Sequence, residues 1–147
     1  MTDQLAAFAE IAAQDHGLCV LSMLRSNGGV AAAVVNAGVL PHPLTGEPAV
    51  GLVARGLRKL VHLRADPRAT IVARAGWRWA AVEGTVEIFG PDDPHLEIDA
   101  ETLRLVLRKI FVAAGGTHDD WDTYDRTLAE ERSAAVIITP QRTYPDA

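Results

Sequence analysis

Residues 18–36 read LCVLSMLRSNGGVAAAVVN. Two apolar runs flank Ser26-Asn27-Gly28-Gly29, and Asn-Gly between such runs marks a tight β-hairpin, because the favoured turn needs left-handed backbone that Asn and Gly adopt readily. Antiparallel pairing is therefore the first expectation, and the neighbouring segments extend it. Residues 38–48 (GVLPHPLTGEP) hold three Pro and two Gly and read as a loop, followed by a strand over 49–54. Segments 70–74 and 79–89 are rich in Val, Ile and aromatics with Gly76 at their turn; Pro91-Asp92-Asp93-Pro94 closes that hairpin, and 134–139 is a last strand.

Helical spacing appears between the strands. Leu5, Phe8, Ala9 and Ala12 place a helix over 3–14, with Thr2 or Asp3 to cap it. Within 56–65, Leu57, Leu60 and Val61 form one face and Pro67 ends the helix. Asp99 is a natural cap for a helix burying Leu103, Val106, Leu107 and Ile110 and stopping at Gly115-Gly116. Thr117 with Asp120 matches a capping box for a final helix to about residue 132. Six short strands joined by turns and single helices make the fold class mainly β with helices (α+β), an antiparallel sheet or barrel and not a doubly wound sheet.

Composition narrows the functional classes. The chain has 147 residues, 48% hydrophobic and 22% charged, which is globular composition and is expected to form one domain over 1–147. The lone Cys19 forms no internal disulfide and the opening MTDQLAAFAE lacks the regions of a secretory signal, so a cytoplasmic protein is expected. The longest apolar run, 30–40, is broken by Asn36 and too short to cross a bilayer, so no membrane partner is expected. A net charge of -5 argues against nucleic acid, yet charge is uneven: between Arg55 and Arg78 seven cations face one acid, Asp66. That segment carries +6 and the remainder -11.

No phosphate-loop, dinucleotide, nucleophile-elbow or metalloprotease motif is present, and the five His are scattered, so neither a protein nucleophile nor a metal site is expected. The segment 53–63 (VARGLRKLVHL) has more to offer. Gly56 frees the backbone at a strand-to-helix junction, and a helix N-terminus attracts anions. Arg55, Arg58, Lys59 and His62 share one helical face if the helix begins near Arg55, a set suited to a phosphate ester; the competing reading is a solvated basic face.

In GWRWAAVEGTVEIF, Ala80, Val82, Val86 and Ile88 alternate against Trp77, Trp79, Glu83, Thr85 and Glu87. Either the two indoles are covered by a ring-shaped ligand or a second subunit, or a bulge at Gly76 or Gly84 turns them into the core. If Arg78 lies on the apolar side, it needs a carboxylate or phosphate partner, for example across a dimer interface. His118 is a candidate proton donor, although its surroundings also read as a simple helix start.

Taken together, VVNAGVLPHPLTGEPAVGLVARGLRKLVHLRADPRATIV (34–72), GWRWAAVEGTVEIFGPDD (76–93), AAGGTHDDWDTYD (113–125) and the closing Thr139-Pro140 and QRTY resemble the flavin and deazaflavin oxidoreductases of the split β-barrel class, related to pyridoxamine 5'-phosphate oxidase. The resemblance is nearest to the actinobacterial branch that uses coenzyme F-420. It implies a six-stranded antiparallel split β-barrel, FMN-binding-like, a homodimer with cofactor sites at the subunit interface, and coenzyme F-420, or alternatively FMN, as cofactor. It assigns the phosphate grip to Arg55, Arg58 and Lys59, the ring site to Val53 and Ala54 with Asn36, Ala37 and Gly38 approaching from the neighbouring strand, and Trp77 and Trp79 to the sheet edge near the dimer cleft. Many relatives carry Asn where this chain has His62. The implied activity is hydride transfer from reduced coenzyme F-420 to an electron-poor small organic substrate. The alternatives are an FMN-dependent oxidase or reductase, or a non-enzymatic cofactor- or tetrapyrrole-binding protein.

Overall fold

The computed structural model describes residues 2–55 and 57–145. In chain order these form helix α1 (Thr2–Gln14), strands β1 (Leu18–Leu24), β2 (Val30–Pro41) and β3 (Pro48–Ala54), helix α2 (Leu57–Ala65), strands β4 (Arg68–Ala75) and β5 (Arg78–Phe89), helices α3 (Ala100–Ala113) and α4 (Trp121–Glu130), and strand β6 (Ala134–Tyr144). The strands close into an antiparallel barrel in the order β1-β2-β3-β6-β5-β4. Expectations resting on Gly56, and on the side chains of Thr2, Asp3 and Leu57, lie outside the described residues.

Strand β2 shapes the barrel by changing partners. Its residues 30–36 pair with β1, and its residues 37–41 pair with β3. The two ladders do not overlap, so β3 diverges from the first half of β2 and the barrel wall is split there. Asn36 pins the changeover, its side-chain amide donating to the carbonyls of His16 (2.8 Å) and Ala114 (3.3 Å).

Alternation along the strands builds two cores. Cys19, Leu21 and Met23 of β1, Val50 and Leu52 of β3, Ile71 of β4, Val82 of β5 and Val136 and Ile138 of β6 fill the barrel, joined by Leu5, Phe8 and Ile11 of α1 and Leu60 and Leu63 of α2. On the outer side of β3 and β6, Ala135 and Ile137 meet Val106, Leu107 and Ile110 of α3 and Tyr124 and Leu128 of α4. Buried on both faces, residues 134–138 of β6 are continuously apolar.

Four details differ from the sequence reading. Strand β2 runs on to Pro41, which lies opposite Pro48 at the strand ends where a missing N–H costs little, so the loop shrinks to 42–47. Strand β6 continues past Thr139 to Tyr144 because a register shift at Glu83/Gly84 accommodates Pro140 opposite Gly84. The cap of α4 is Asp120, whose carboxylate accepts the Thr123 N–H at 3.1 Å, not Thr117. Val61 is 54% exposed, because the buried stripe of α2 runs through Leu60 and Leu63, three residues apart.

Gly38 is required by close packing: a Cβ there would lie 2.2 Å from the Ala113 carbonyl carbon of α3. Gly38→Ala is expected to lower unfolding stability by about 1–3 kcal/mol in denaturant titration, as overpacking forces α3 away from β2.

Candidate functional site

Where β2 and β3 part, a cleft of about 560 Å³ lies between the hairpin of β1 and β2 and the helix α2. Ala31, Ala32 and Ala33 form one side, and Arg58, Lys59, Val61 and His62 the other, with Met23 and Arg25 at the hairpin end. The three alanines leave room beside a stretch of β2 whose edge away from β1 has no strand partner among the described residues. Residues 58, 61 and 62 are i, i+3 and i+4, so one helical face presents all three to the cleft.

Charge in the basic segment is largely consumed elsewhere. Arg64 grips Asp93 (Nε to Oδ2, 2.8 Å), Arg68 grips Asp66 (2.8 Å), and Arg78 reaches Glu10 of α1 at 3.0 Å. The carboxylate beside Arg78 thus comes from within the chain, in a solvent-exposed pair. Arg55 precedes α2 and turns to Glu131 at 3.3 Å, so it does not share the face of Arg58 and Lys59. Arg58 and Lys59 have no ion pair among the described residues. They remain available to an anionic ligand, each charge-assisted contact contributing about 1.5–3 kcal/mol.

The other residues singled out from the sequence take different places. Ala54 is buried in the barrel, and Val53 packs on the outer core beside α3 and α4. Asn36, Ala37 and Gly38 form the joint between β2, α1 and α3. Trp77, 99% exposed, sits in the two-residue turn with Gly76, and Trp79 is half-exposed against Tyr144, ring centroids 6.2 Å apart. Burial of the indoles in the core is therefore overturned: Ala80 and Val82 take the inward positions. Through the ladders, Trp79 is level with Arg74 beyond Cys19, whereas the cleft lies past Met23, so the indoles and Arg58 occupy opposite ends of the same sheet.

Nothing in the sequence singles out Arg25, which reaches the cleft only because the hairpin folds back beside α2. His42, one of the five scattered His, is buried outside the cleft. Its Nδ1 accepts the N–H groups of Leu44 (3.1 Å) and Thr45 (3.3 Å), which places the ring proton on Nε2, 2.6 Å from Glu87. This ring organises the short β2–β3 loop. His118 packs among Phe111, Trp121 and Tyr124 and accepts the Asp120 N–H at 2.9 Å, the geometry of a helix start. Burial, with a smaller effect of Asp15, pushes the Cys19 thiol up to about 12, so it is no nucleophile at neutral pH. Among the described residues no three metal-ligating side chains converge, and no helix is long and apolar enough to cross a membrane.

Between α3 and α4, Asp125 accepts hydrogen bonds from Arg108 (Nε, 2.9 Å) and Arg104 (Nη1, 2.9 Å), and Arg108 also lies over the Trp121 ring. The Arg108 hydrogen bond, aided by Arg104, holds the Asp125 carboxyl below its ordinary value against the opposing effect of burial.

The fold is shared with solved structures. A conserved hypothetical protein from Mycobacterium tuberculosis is 20% identical, matching over 92% of this chain and 81% of its own with a TM-score of 0.62. A structure described as an F-420 reductase is 14% identical, over 86% of this chain and 88% of its own, with a TM-score of 0.58. A pyridoxamine 5'-phosphate oxidase-related, FMN binding protein from Nostoc punctiforme is 15% identical, over 93% and 80%, with a TM-score of 0.60. These likenesses establish the split-barrel fold. No protein-family model and no curated protein matches the chain.

Because the folded-state value of Asp125 lies below the ordinary 3.8, its stabilisation is full above that value and is lost as pH falls through the lower, folded-state one. Asp125→Asn is expected to cost about 1–3 kcal/mol at neutral pH, with the gap to the unmodified protein closing in unfolding curves taken in acid.

Proposed function

We propose that the chain is an oxidoreductase that holds the phosphate of a flavin-type cofactor in the cleft between β2 and α2, with reduced coenzyme F-420 as hydride donor to an electron-poor small organic substrate. The observation that carries this reading is the pair Arg58 and Lys59, without ion pairs among the described residues, facing three alanines at the split in the barrel. The solved structures of the same fold include one described as an F-420 reductase and one described as FMN binding, which supports a cofactor of this class.

The residues fit such a group. Arg58 and Lys59, with Arg25 and His62 beside them, supply donors to a phosphate and to an acidic tail extending from it. The small side chains of Ala31, Ala32 and Ala33 let a flat ring approach the free edge of β2. When bound, the cofactor supplies the hydride chemistry, and the chain binds and orients it without a protein nucleophile. FMN offers a phosphate too and is the second reading.

A homodimer completes the proposal. Val34, Val20 and Val72 occupy opposed positions across β2, β1 and β4, and Val34 and Val20 are 67% and 44% exposed on the outer wall. A second copy seated there would cover this apolar strip and bring its own Trp77 and Trp79 toward the cleft. The active protein is expected in the cytoplasm.

Fluorescence titration with oxidised coenzyme F-420 tests the site. The double variant Arg58→Glu, Lys59→Glu is expected to weaken binding tenfold or more, while Lys109→Glu, on the exposed side of α3, leaves it unchanged. Unaltered affinity in the double variant would remove the site, and tight binding without turnover of electron acceptors would make the protein a carrier.

A further inference from the structure

Among the described residues lining the cleft beside α2, His62 is the one histidine. Histidine is the side chain that ordinarily gains or loses a proton between about pH 5 and pH 8, whereas arginine and lysine ordinarily stay charged across that range.

The groups that face His62 are basic. Arg58 and Lys59 stand four and three residues before it on α2, which puts all three on neighbouring positions of the helix surface. From the hairpin across the cleft comes Arg25, anchored by its Nη1 donating to the Val30 carbonyl at 3.0 Å. Met23 and the three alanines bring no charge, and no carboxylate lines the cleft among the described residues. Asp66, whose N–H donates to the His62 carbonyl at 2.9 Å, has its carboxylate engaged by Arg68, and Arg64 is engaged by Asp93. His62 itself is half-buried, and its ring has no ion pair among the described residues.

Three cations and one imidazole around a cleft without acids form an anion site whose charge is not fixed. An anion seated among them lowers the cost of adding a further positive charge there, so its binding favours the protonated ring. Linkage makes the effect mutual, and the protonated ring strengthens the anion by the same factor. The ring is charged on the acid side, so the gain is present at low pH and lost as pH rises. A neutral ring still offers one N–H donor, which leaves binding weaker but not abolished.

We propose that His62 couples anion binding in this cleft to proton uptake, so that the cofactor phosphate is held more tightly on the acid side of neutrality than on the alkaline side. This coupling rests on the phosphate grip of Arg58 and Lys59, to which it adds a group whose charge follows pH.

The ratio of FMN to riboflavin affinity isolates the phosphate contribution, and fluorescence titration reads it at about pH 8 and about pH 6. The FMN phosphate itself titrates at about pH 6, equally for every variant, so proteins are compared at matched pH. On going to the lower pH, the ratio is expected to rise about fivefold more in the unmodified protein than in His62→Gln. His62→Lys is expected to hold FMN more tightly than His62→Gln at both pH values, with no more pH dependence than His62→Gln. Calorimetry of FMN binding in buffers of unequal ionisation heat is expected to show more proton uptake by the unmodified protein than by either variant. Equal pH dependence, or equal proton uptake, in the unmodified protein and His62→Gln, with FMN still preferred to riboflavin, overturns the coupling and leaves the phosphate site standing. Equal affinities for FMN and riboflavin at both pH values overturn the phosphate site and the coupling with it.

Discussion

The structure depends on how β2 passes from one partner to the next. The strand leaves β1 at Asn36 and joins β3 at Ala37, and several contacts hold the backbone at that point. The Asn36 amide spans the carbonyls of His16 and Ala114, the Ala37 N–H donates to Gly17 at 2.9 Å, and Gly38 lies directly against the backbone of α3. α1, β2 and α3 are thereby locked together at one place. The opening between β2 and β3 follows, because two ladders that share no residue leave the strands free to diverge. Helix α2 begins where β3 ends and so falls beside that opening. Residues 36–38 thus fix the geometry of the cleft without lining it.

Electrostatics then selects within the basic segment. Arg55, Arg64, Arg68 and Arg78 each meet a carboxylate, and these pairs tie α2 and the strand ends to the rest of the chain. Most are exposed, so each contributes modestly to stability. Their larger effect is to leave the uncompensated charge of the segment on Arg58, Lys59 and Arg74, of which Arg58 and Lys59 line the cleft. A net-negative protein can in this way present a local positive field.

Most of the fold was legible in the sequence because hairpin turns and alternating strands are local signals. Asn27-Gly28 fixed the first hairpin, and Asp99 capped α3 as its spacing implied, accepting the Thr102 N–H at 2.7 Å. The errors in strand length came at prolines: Pro41, Pro48 and Pro140 are all accommodated at strand ends or a bulge. The site was less legible. Helical spacing could pair Arg58 with His62, but only the long-range register places Arg25 and Ala31 to Ala33 opposite them, and only the position of α4 draws Arg55 toward Glu131.

The most direct measurement compares FMN with riboflavin, which carries the same ring without the phosphate, by fluorescence titration of the purified protein. If Arg58 and Lys59 grip a phosphate at the split in the barrel, FMN binds tenfold or more tightly than riboflavin, and the preference shrinks as salt is raised. Equal affinities for the two would contradict a phosphate site in this cleft.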